Sequence, residues 1–380
     1  MATRRIWQHP ILKTHSYSRQ HGKLWRPIID RVFSVSQPLS CPLPKLLDIP
    51  DFKDASHSFY NYTSGGCLYN DRLRRQERHL VFDVSALLDV VSKAAGRPRE
   101  SVTNIAKLAE GGYYRVFEVT FSDSLAVIAR IPYPCTVPRQ FGIASEVATM
   151  QYLRLHGIPV PEVLDWTVSP NPVGSKYMIM AKAQGTELEQ TWYTMSIEER
   201  SNVVKQIVVL ESKMFQLDFP ASGSIYHQSF LESHEVSTFV PLDSTFGEGT
   251  FCIGPSSELL WWYKDRDQLE VRRGPWKTAT EVMESVGQRE LAWLERFGQP
   301  RYPREVMYRE SYDKKMVDPA TQMRNLRDYL ALAPLIVPDD PELVKPIIRH
   351  PDLSPSNIFV SESGDITALL DWQYTCILPL

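Results

Sequence analysis

An α+β chain of two unequal lobes is what these 380 residues predict, a small and mostly antiparallel sheet first and a mainly helical part after it. Five β-rich runs and one helix-periodic stretch fall between residues 102 and 181. Beyond residue 196 the apolar spacing becomes helical, and a hairpin pattern returns near residue 360.

Residues 36–50 are proline-rich and read as an extended linker. Asp83 can cap a helix whose Leu87, Leu88, Val91 and Ala95 share one face, with Gly96 as its stop. Val102–Ala109, Tyr114–Phe121 and Leu125–Ile131 are strand-like, the last two joined by the tight turn Ser122-Asp123-Ser124. A helix is expected from about Ser145 to His156, ended by Gly157. Val160–Trp166 and Lys176–Ala181 are the next strands, separated by the turn Ser169-Pro170-Asn171-Pro172. Ser196 and Glu199 then form a capping box ahead of a long helix carrying Val203, Val204, Ile207, Val208, Met214 and Phe215. After an irregular stretch at 219–279, helical spacing recurs at Thr280–Phe297 and Asp318–Leu335. Finally, Asn357–Val360 and Ile366–Trp372 flank the turn Ser361-Glu362-Ser363-Gly364-Asp365.

Composition narrows the function. The chain holds 42 Lys+Arg against 45 Asp+Glu, without the basic excess that nucleic-acid phosphates require. Cys41, Cys67, Cys135, Cys252 and Cys376 are scattered and never spaced CxxC, so neither a disulfide framework nor a structural zinc site is expected. No apolar run approaches the roughly 18 residues of a membrane-spanning helix. Charge is uneven, however. Residues 1–31 carry Arg4, Arg5, Lys13, Arg19, Lys23, Arg26 and Arg31 against Asp30 alone, a net +6 in a chain whose total is −3. An arginine-rich, serine-containing, acid-poor start has the composition of a mitochondrial transit peptide, with a disordered basic tail as the plainer reading.

Chemistry concentrates near the C-terminal hairpin. His350-Pro351-Asp352-Leu353-Ser354-Pro355-Ser356-Asn357 precedes it, and Leu369-Leu370-Asp371-Trp372 closes it. Phosphoryl transfer needs a carboxylate at the acceptor hydroxyl and oxygen ligands for Mg²⁺ on the nucleotide phosphates. Asp352 suits the first task. Asn357 and Asp371 suit the second, because a short hairpin between them can bring both side chains to one edge. His350 and the two prolines would hold the loop's shape. The alternative is a capped turn in which Asp and Asn serve only backbone groups. A second motif, Glu110-Gly111-Gly112-Tyr113-Tyr114-Arg115-Val116, lies between two strands. Gly111 and Gly112 could let backbone N–H groups approach phosphates, or form an ordinary turn. Trp261-Trp262-Tyr263 reads as a buried aromatic cluster or partner surface rather than a stacking platform, and Arg72, Arg74, Arg75 and Arg78 as a solvated helical face.

HPDLSPSN followed by an apolar strand ending in LLDW resembles the catalytic segment of the aminoglycoside phosphotransferase and choline kinase superfamily, and the similarity covers most of residues 60–380. YTSGGCLYND, KLAEGGYYRVFEV, AVIARIP, SEVATMQYL and HGIPVPEVLDW are more similar to a fungal branch, the altered inheritance of mitochondria protein 9 family. The resemblance implies a protein-kinase-like two-lobed fold, with ATP and Mg²⁺ as cofactors and a mitochondrial location that agrees with the basic start. The implied activity is transfer of the ATP γ-phosphate to a hydroxyl of a small molecule, with no nucleic-acid partner. A catalytically inactive nucleotide-binding or scaffold protein of mitochondrial maintenance is the alternative. The implied division is a transit peptide or basic tail at 1–35, a linker at 36–60, a nucleotide-binding lobe at 61–185 and a catalytic lobe at 186–380 with its catalytic segment at 346–373.

Residue by residue, the resemblance assigns catalysis to Asp352 with His350, and metal binding to Asn357 and Asp371. Gly111, Gly112, Arg130, Glu146 and Met180 would bind the nucleotide. Arg130 stands where kinases of this fold place a phosphate-binding lysine, a substitution that is not neutral. Glu146 stands where that residue's ion-pair partner belongs. Lys176–Ala181 and the following Lys182-Ala183-Gln184-Gly185 resemble the hinge that meets adenine, with Met180 either lining the base pocket or serving as a core methionine. No Arg separates His350 from Asp352, and Asp371-Trp372-Gln373 occupies the DFG-like position, so a small acceptor is expected rather than a protein. Aminoglycoside phosphotransferases continue into further helices at this point. Here nine residues follow Asp371, so a truncated lobe is expected, with apolar surface uncovered near Trp372 and Leu378.

Overall fold

A computed structural model describes residues 54–66, 68–242, 251–303 and 306–380. The transit-peptide segment and the linker up to residue 53 lie outside the described residues.

Helix α1 (Asp71–Arg78) exposes Arg72 and Arg75 as expected, with Arg75 paired to Asp71 at 2.7 Å and Arg74 to Glu77 at 2.9 Å, but Arg78 is half-buried over the Tyr62 and Tyr133 rings. In α2 (Val84–Ala94) the Asp83 carboxylate accepts from Ala86 N at 2.9 Å, and Gly96 turns the chain away with φ 62°. Strands β1 (Val102–Glu110), β2 (Tyr114–Phe121), β3 (Ala126–Pro132), β4 (Val163–Thr167) and β5 (Tyr177–Ala181) form one sheet in the order β1-β2-β3-β5-β4, every neighbour antiparallel.

Strand alternation sends side chains to two different cores. On one face Phe117, Val119, Val127, Ala129, Ile131 and Ile179 pack under Leu87, Leu88 and Val91 of α2. On the other, Tyr114, Ile128, Met178 and Met180 join α3 (Phe141–Leu155) and the second lobe. Arg115 and Arg130 lie on these opposite faces, because Arg115 is paired with Ile131 and Arg130 with Val116.

The third helix starts four residues earlier than its local spacing indicates. The cause is tertiary. The Gln140 side chain makes no capping bond, but the Phe141 ring stacks on Trp262 at 5.5 Å and meets Tyr226 and Phe230 edge-on.

In the second lobe, β6 (Thr186–Glu187) leads to α4 (Ile197–Phe215), which begins at the capping box: Glu199 N donates to Ser196 Oγ at 3.2 Å, and Ser196 N to the Glu199 carboxylate at 2.7 Å. Only Val203 and Met214 of its expected apolar positions are buried. Val204 and Val208, one turn apart, face outward instead. The 219–279 stretch is more regular than its composition suggests. It holds β7 (Ser224–His227), α5 (Gln228–Ser233), β8 (Val240–Pro241) and β9 (Phe251–Gly254), with the strands ordered β7-β9-β8. Of Trp261-Trp262-Tyr263 only Trp261 is buried, 5.1 Å from Trp276 and under the Arg289 guanidinium, while Trp262 is half-buried and Tyr263 exposed. Helices α6 (Ala279–Phe297) and α7 (Pro319–Ile336) pack closely at Gly287, where a Cβ would stand 2.7 Å from Leu330.

Strand β10 (Pro346–Ile348) pairs with β13 (Ile377–Pro379), while β11 (Ile358–Val360) and β12 (Ile366–Leu369) form the expected hairpin, extended by β6. The expectation of uncovered surface is corrected at Trp372, which is fully buried with its indole N–H on Leu369 O, whereas Leu378 is only partly buried. Among the described residues no helix is long and apolar enough to cross a membrane.

Candidate active site

The loop from His350 to Asn357 is shaped by its own polar groups. Asp352 N donates to His350 Nδ1 at 3.1 Å, so that nitrogen is the acceptor and Nε2 carries the proton given to Leu370 O at 2.7 Å. Burial pushes the His350 pKa below the ordinary imidazole value, with Leu370 O, Asp371 and Asp352 pulling the other way. With both ring nitrogens engaged on backbone and its ring edge-on to Trp372 at 4.3 Å, His350 holds the loop rather than facing a reactant. Asn357 Nδ2 donates to Asp352 O at 2.9 Å and reaches its carboxylate at 3.4 Å, while Leu370 N donates to Asn357 O at 2.8 Å. The chain from Asp352 to Asp371 is thereby closed through Asn357.

Asp371 leaves β12 in the left-handed region, φ 63°, a conformation Asp tolerates better than most residues. Buried Trp372 beyond it and the Thr375 hydroxyl bonded to Trp372 O at 2.6 Å hold this turn. The Asp371 carboxylate stays about half exposed and lies 3.5 Å from Arg130 Nη2. Arg130 also pairs with Glu146 of α3, whose side chain is fully buried and accepts from the Tyr114 hydroxyl at 3.1 Å. The guanidinium sits 4.2 Å over the Tyr114 ring. Burial opposes the charge on Arg130, but Glu146, Tyr114 and Asp371 outweigh it and raise the pKa above the ordinary guanidinium value.

A cleft of about 510 Å³, in the range of small-molecule sites, is lined by six of the nine residues singled out from sequence: Gly111, Gly112, Arg130, Met180, Asn357 and Asp371. Glu146 stands behind Arg130. Asp352 and His350 are not among its lining residues; His350 borders a second hollow of about 410 Å³ with Leu259, Leu260, Pro351 and Tyr374. At the roof, Gly111 N is spent on Tyr114 O at 3.0 Å, and a Cβ on Gly112 would meet nothing within 4 Å, so the second glycine leaves open space above the cleft. Met180, Ala181, Lys182 and Ala183 line the far end. Ala181 N is taken by Glu162 O at 2.8 Å, which leaves Lys182 and Ala183 as the backbone that can meet a ligand there. Gly185, φ 94°, allows the chain to pass β11: a Cβ would lie 2.2 Å from Val360 O.

Among the described residues no cluster of three or more His, Cys, Asp or Glu could hold a metal. Asn357 and Asp371 nonetheless border one cleft and present hard oxygens, and Mg²⁺ is commonly held by one or two such groups plus substrate phosphates. That donor set fits the ion. Sequence reasoning missed Tyr113, Tyr114, Phe359 and Gln373, all of which line the cleft. For Tyr114 the signal was strand alternation with Val116; for Gln373 there was none.

The family model described as the phosphotransferase enzyme family matches residues 105–380. The chain is 34% identical over 310 residues to a subtelomeric hrmA-associated cluster protein of Aspergillus fumigatus, covering 73% of this chain and 58% of the relative. It is similar to the altered inheritance of mitochondria protein 9, mitochondrial, of Saccharomyces cerevisiae, at 28% identity over 85% of this chain and 62% of the relative. The Yarrowia lipolytica protein of that name is 29% identical, with 91% and 63% covered. The chain thus spans about 58–63% of the length of these relatives. Among solved structures, aminoglycoside phosphotransferase APH(4)-Ia in ternary complex with ADP and hygromycin B overlaps 77% of this chain and 72% of its own, with TM-score 0.42 and 14% identity.

Proposed function

Because this chain belongs to the phosphotransferase enzyme family, we propose that it transfers the terminal phosphoryl group of ATP to a hydroxyl of a small molecule, in the mitochondrion. The address rests on the relatives named as mitochondrial in two yeasts. The observation that carries the activity is the convergence of Arg130, Asn357 and Asp371 on one cleft of small-molecule size, with the Asp352 carboxylate 3.4 Å from the amide of Asn357.

The residues divide the work as follows. Lys182 and Ala183 offer backbone groups to the base, beneath Met180. Arg130, held by Glu146, reaches toward the phosphates. Asp352 orients the acceptor hydroxyl and takes its proton as that oxygen bonds to the terminal phosphorus. The oxygen bridging to the β-phosphate leaves with its electron pair, giving a phosphate ester and ADP. Mg²⁺ held by Asn357 and Asp371 would supply charge neutralisation at the phosphates. His350 keeps Asp352 in place, and the apolar hollow beside it, walled by Leu259, Leu260 and Pro351, is the approach for the acceptor.

One observation favours a second reading, a nucleotide-binding protein without turnover: Arg130 Nη2 is near the carboxylate a metal would need. Thermal shift with ATP, with and without Mg²⁺, and slow ATP hydrolysis by wild type and Asp352→Ala decide between them. The kinase reading expects Mg²⁺-dependent stabilisation and hydrolysis that falls at least about 100-fold in the variant. Stabilisation with no Asp352-dependent hydrolysis would leave the second reading.

A further inference from the structure

Gln373 is 94% buried, and its side-chain Nε2 makes no hydrogen bond within 3.5 Å, although the side chain lies close enough to the Tyr374 hydroxyl to oppose the rise that burial imposes on that group's pKa. Buried polar groups are nearly always paired, so an orphaned donor in a cleft points to a partner that is not part of the chain. Gln373 lines the same cleft as Arg130 and Asp371.

Its position picks out one end of that cleft. Two residues before it is Asp371, next to Arg130. One residue after it is Tyr374, whose ring meets Tyr113 of the glycine turn edge-on at 5.0 Å, while its hydroxyl donates to Val137 O. The hinge end lies elsewhere. Ala181 is paired with Val127, three residues along β3 from Arg130, about 10 Å away at the strand rise. A nucleotide with its base at Lys182 and Ala183 and its phosphates at Arg130 therefore directs its outermost phosphoryl group toward Gln373 and the Tyr113–Tyr374 pair.

We propose that Gln373 is a nucleotide-binding residue whose side-chain amide donates to an oxygen of the terminal phosphoryl group, distinguishing a triphosphate from a diphosphate. This rests on the reading of the cleft as a nucleotide site. The donor's missing partner is then explained by ligand binding, since Trp372 and Thr375 hold the turn without it.

The test is calorimetric binding of ATP and ADP, each with Mg²⁺, to wild type, Gln373→Met and Gln373→Glu, together with thermal unfolding of the unliganded proteins. Methionine keeps the volume and removes the unpaired donor. It is expected to weaken ATP about tenfold or more and ADP less than twofold, with the unliganded melting temperature unchanged or higher. Glutamate keeps the side-chain shape and should weaken ATP further by setting a carboxylate against phosphate, again with little effect on ADP. It also serves if methionine perturbs the fold. Equal losses for ATP and ADP, or a lower unliganded melting temperature with the ATP-to-ADP ratio intact, would overturn the assignment. Wild type that binds both nucleotides while the variants match it defeats this assignment alone, whereas wild type that binds neither defeats the nucleotide reading with it.

Discussion

Two buried arginines, one on each face of the same sheet, are handled in opposite ways. On the back face, Arg115 is fully buried against the Glu110 carboxylate. That carboxylate is saturated: one oxygen accepts from Lys107 and Arg115, the other from the backbone and hydroxyls of Thr63 and Ser64. Burial lowers the Arg115 pKa, and its Nη1 has no partner. On the cleft face, Arg130 touches two carboxylates and its pKa rises, while Asp371 stays about half exposed. The back-face cluster is closed and ties the Thr63–Ser64 segment to the glycine turn. The cleft-face cluster keeps one member able to exchange partners. A site for a charged ligand needs that remaining freedom, and a structural ion cluster does not.

Paired substitutions give the largest expected effect. Arg130→Met leaves the buried Glu146 carboxylate with the Tyr114 hydroxyl and no cation and should cost about 3–5 kcal/mol in urea unfolding, whereas Arg115→Met leaves Glu110 still bonded to Lys107, Thr63 and Ser64 and should cost less. Only Arg130→Met should also reduce the stabilisation by Mg²⁺ and ATP; equal reductions in both would erase the distinction between the faces. Gly185→Ala comes next, at about 2–4 kcal/mol, since the Cβ meets Val360 O from a left-handed backbone. An alanine as stable as wild type would mean that the strands after the hinge are not held so close.

A smaller effect concerns acid. Despite burial, which raises it, the Lys107 ammonium and the Thr63 and Ser64 donors bring the Glu110 pKa from 4.5 to about 2. Because folding lowers this pKa, the cluster's contribution is complete above pH 4.5 and is lost as pH falls toward 2. Glu110→Gln should flatten stability between those values, and an unchanged acid limb would show that the cluster carries little. The smallest stability change is expected for Gly112→Ala, under about 1 kcal/mol, because nothing of the protein occupies the added methyl's place. Its nucleotide affinity should fall all the same, and unaltered affinity would mean that the open space is not ligand space.

Much of the sheet-bearing lobe, and the entry to the second, could be read locally. The strand runs, the Asp83 cap and the Ser196–Glu199 box are decided by neighbours within four residues, where spacing and hydrogen-bonding chemistry are explicit. The loop from His350 to Asn357 was equally visible, since His350, Asp352 and Asn357 bond within one short stretch. The start of α3 was not, because Phe141 is placed by Trp262 rather than by a cap. Nor was the outward turn of Val204 and Val208, whose helical spacing matches that of buried positions.

By itself, then, the order of residues determined the elements, the turns between them and which polar groups were candidates for chemistry, because backbone propensity and capping act over one or two turns. Tertiary structure alone decided that Arg130 meets Asp371 across 241 positions of sequence, that Gly185 lies against Val360, and that Gln373 Nε2 is buried without a hydrogen bond at the cleft. Those outcomes depend on distances between segments remote in the chain, which no local pattern specifies.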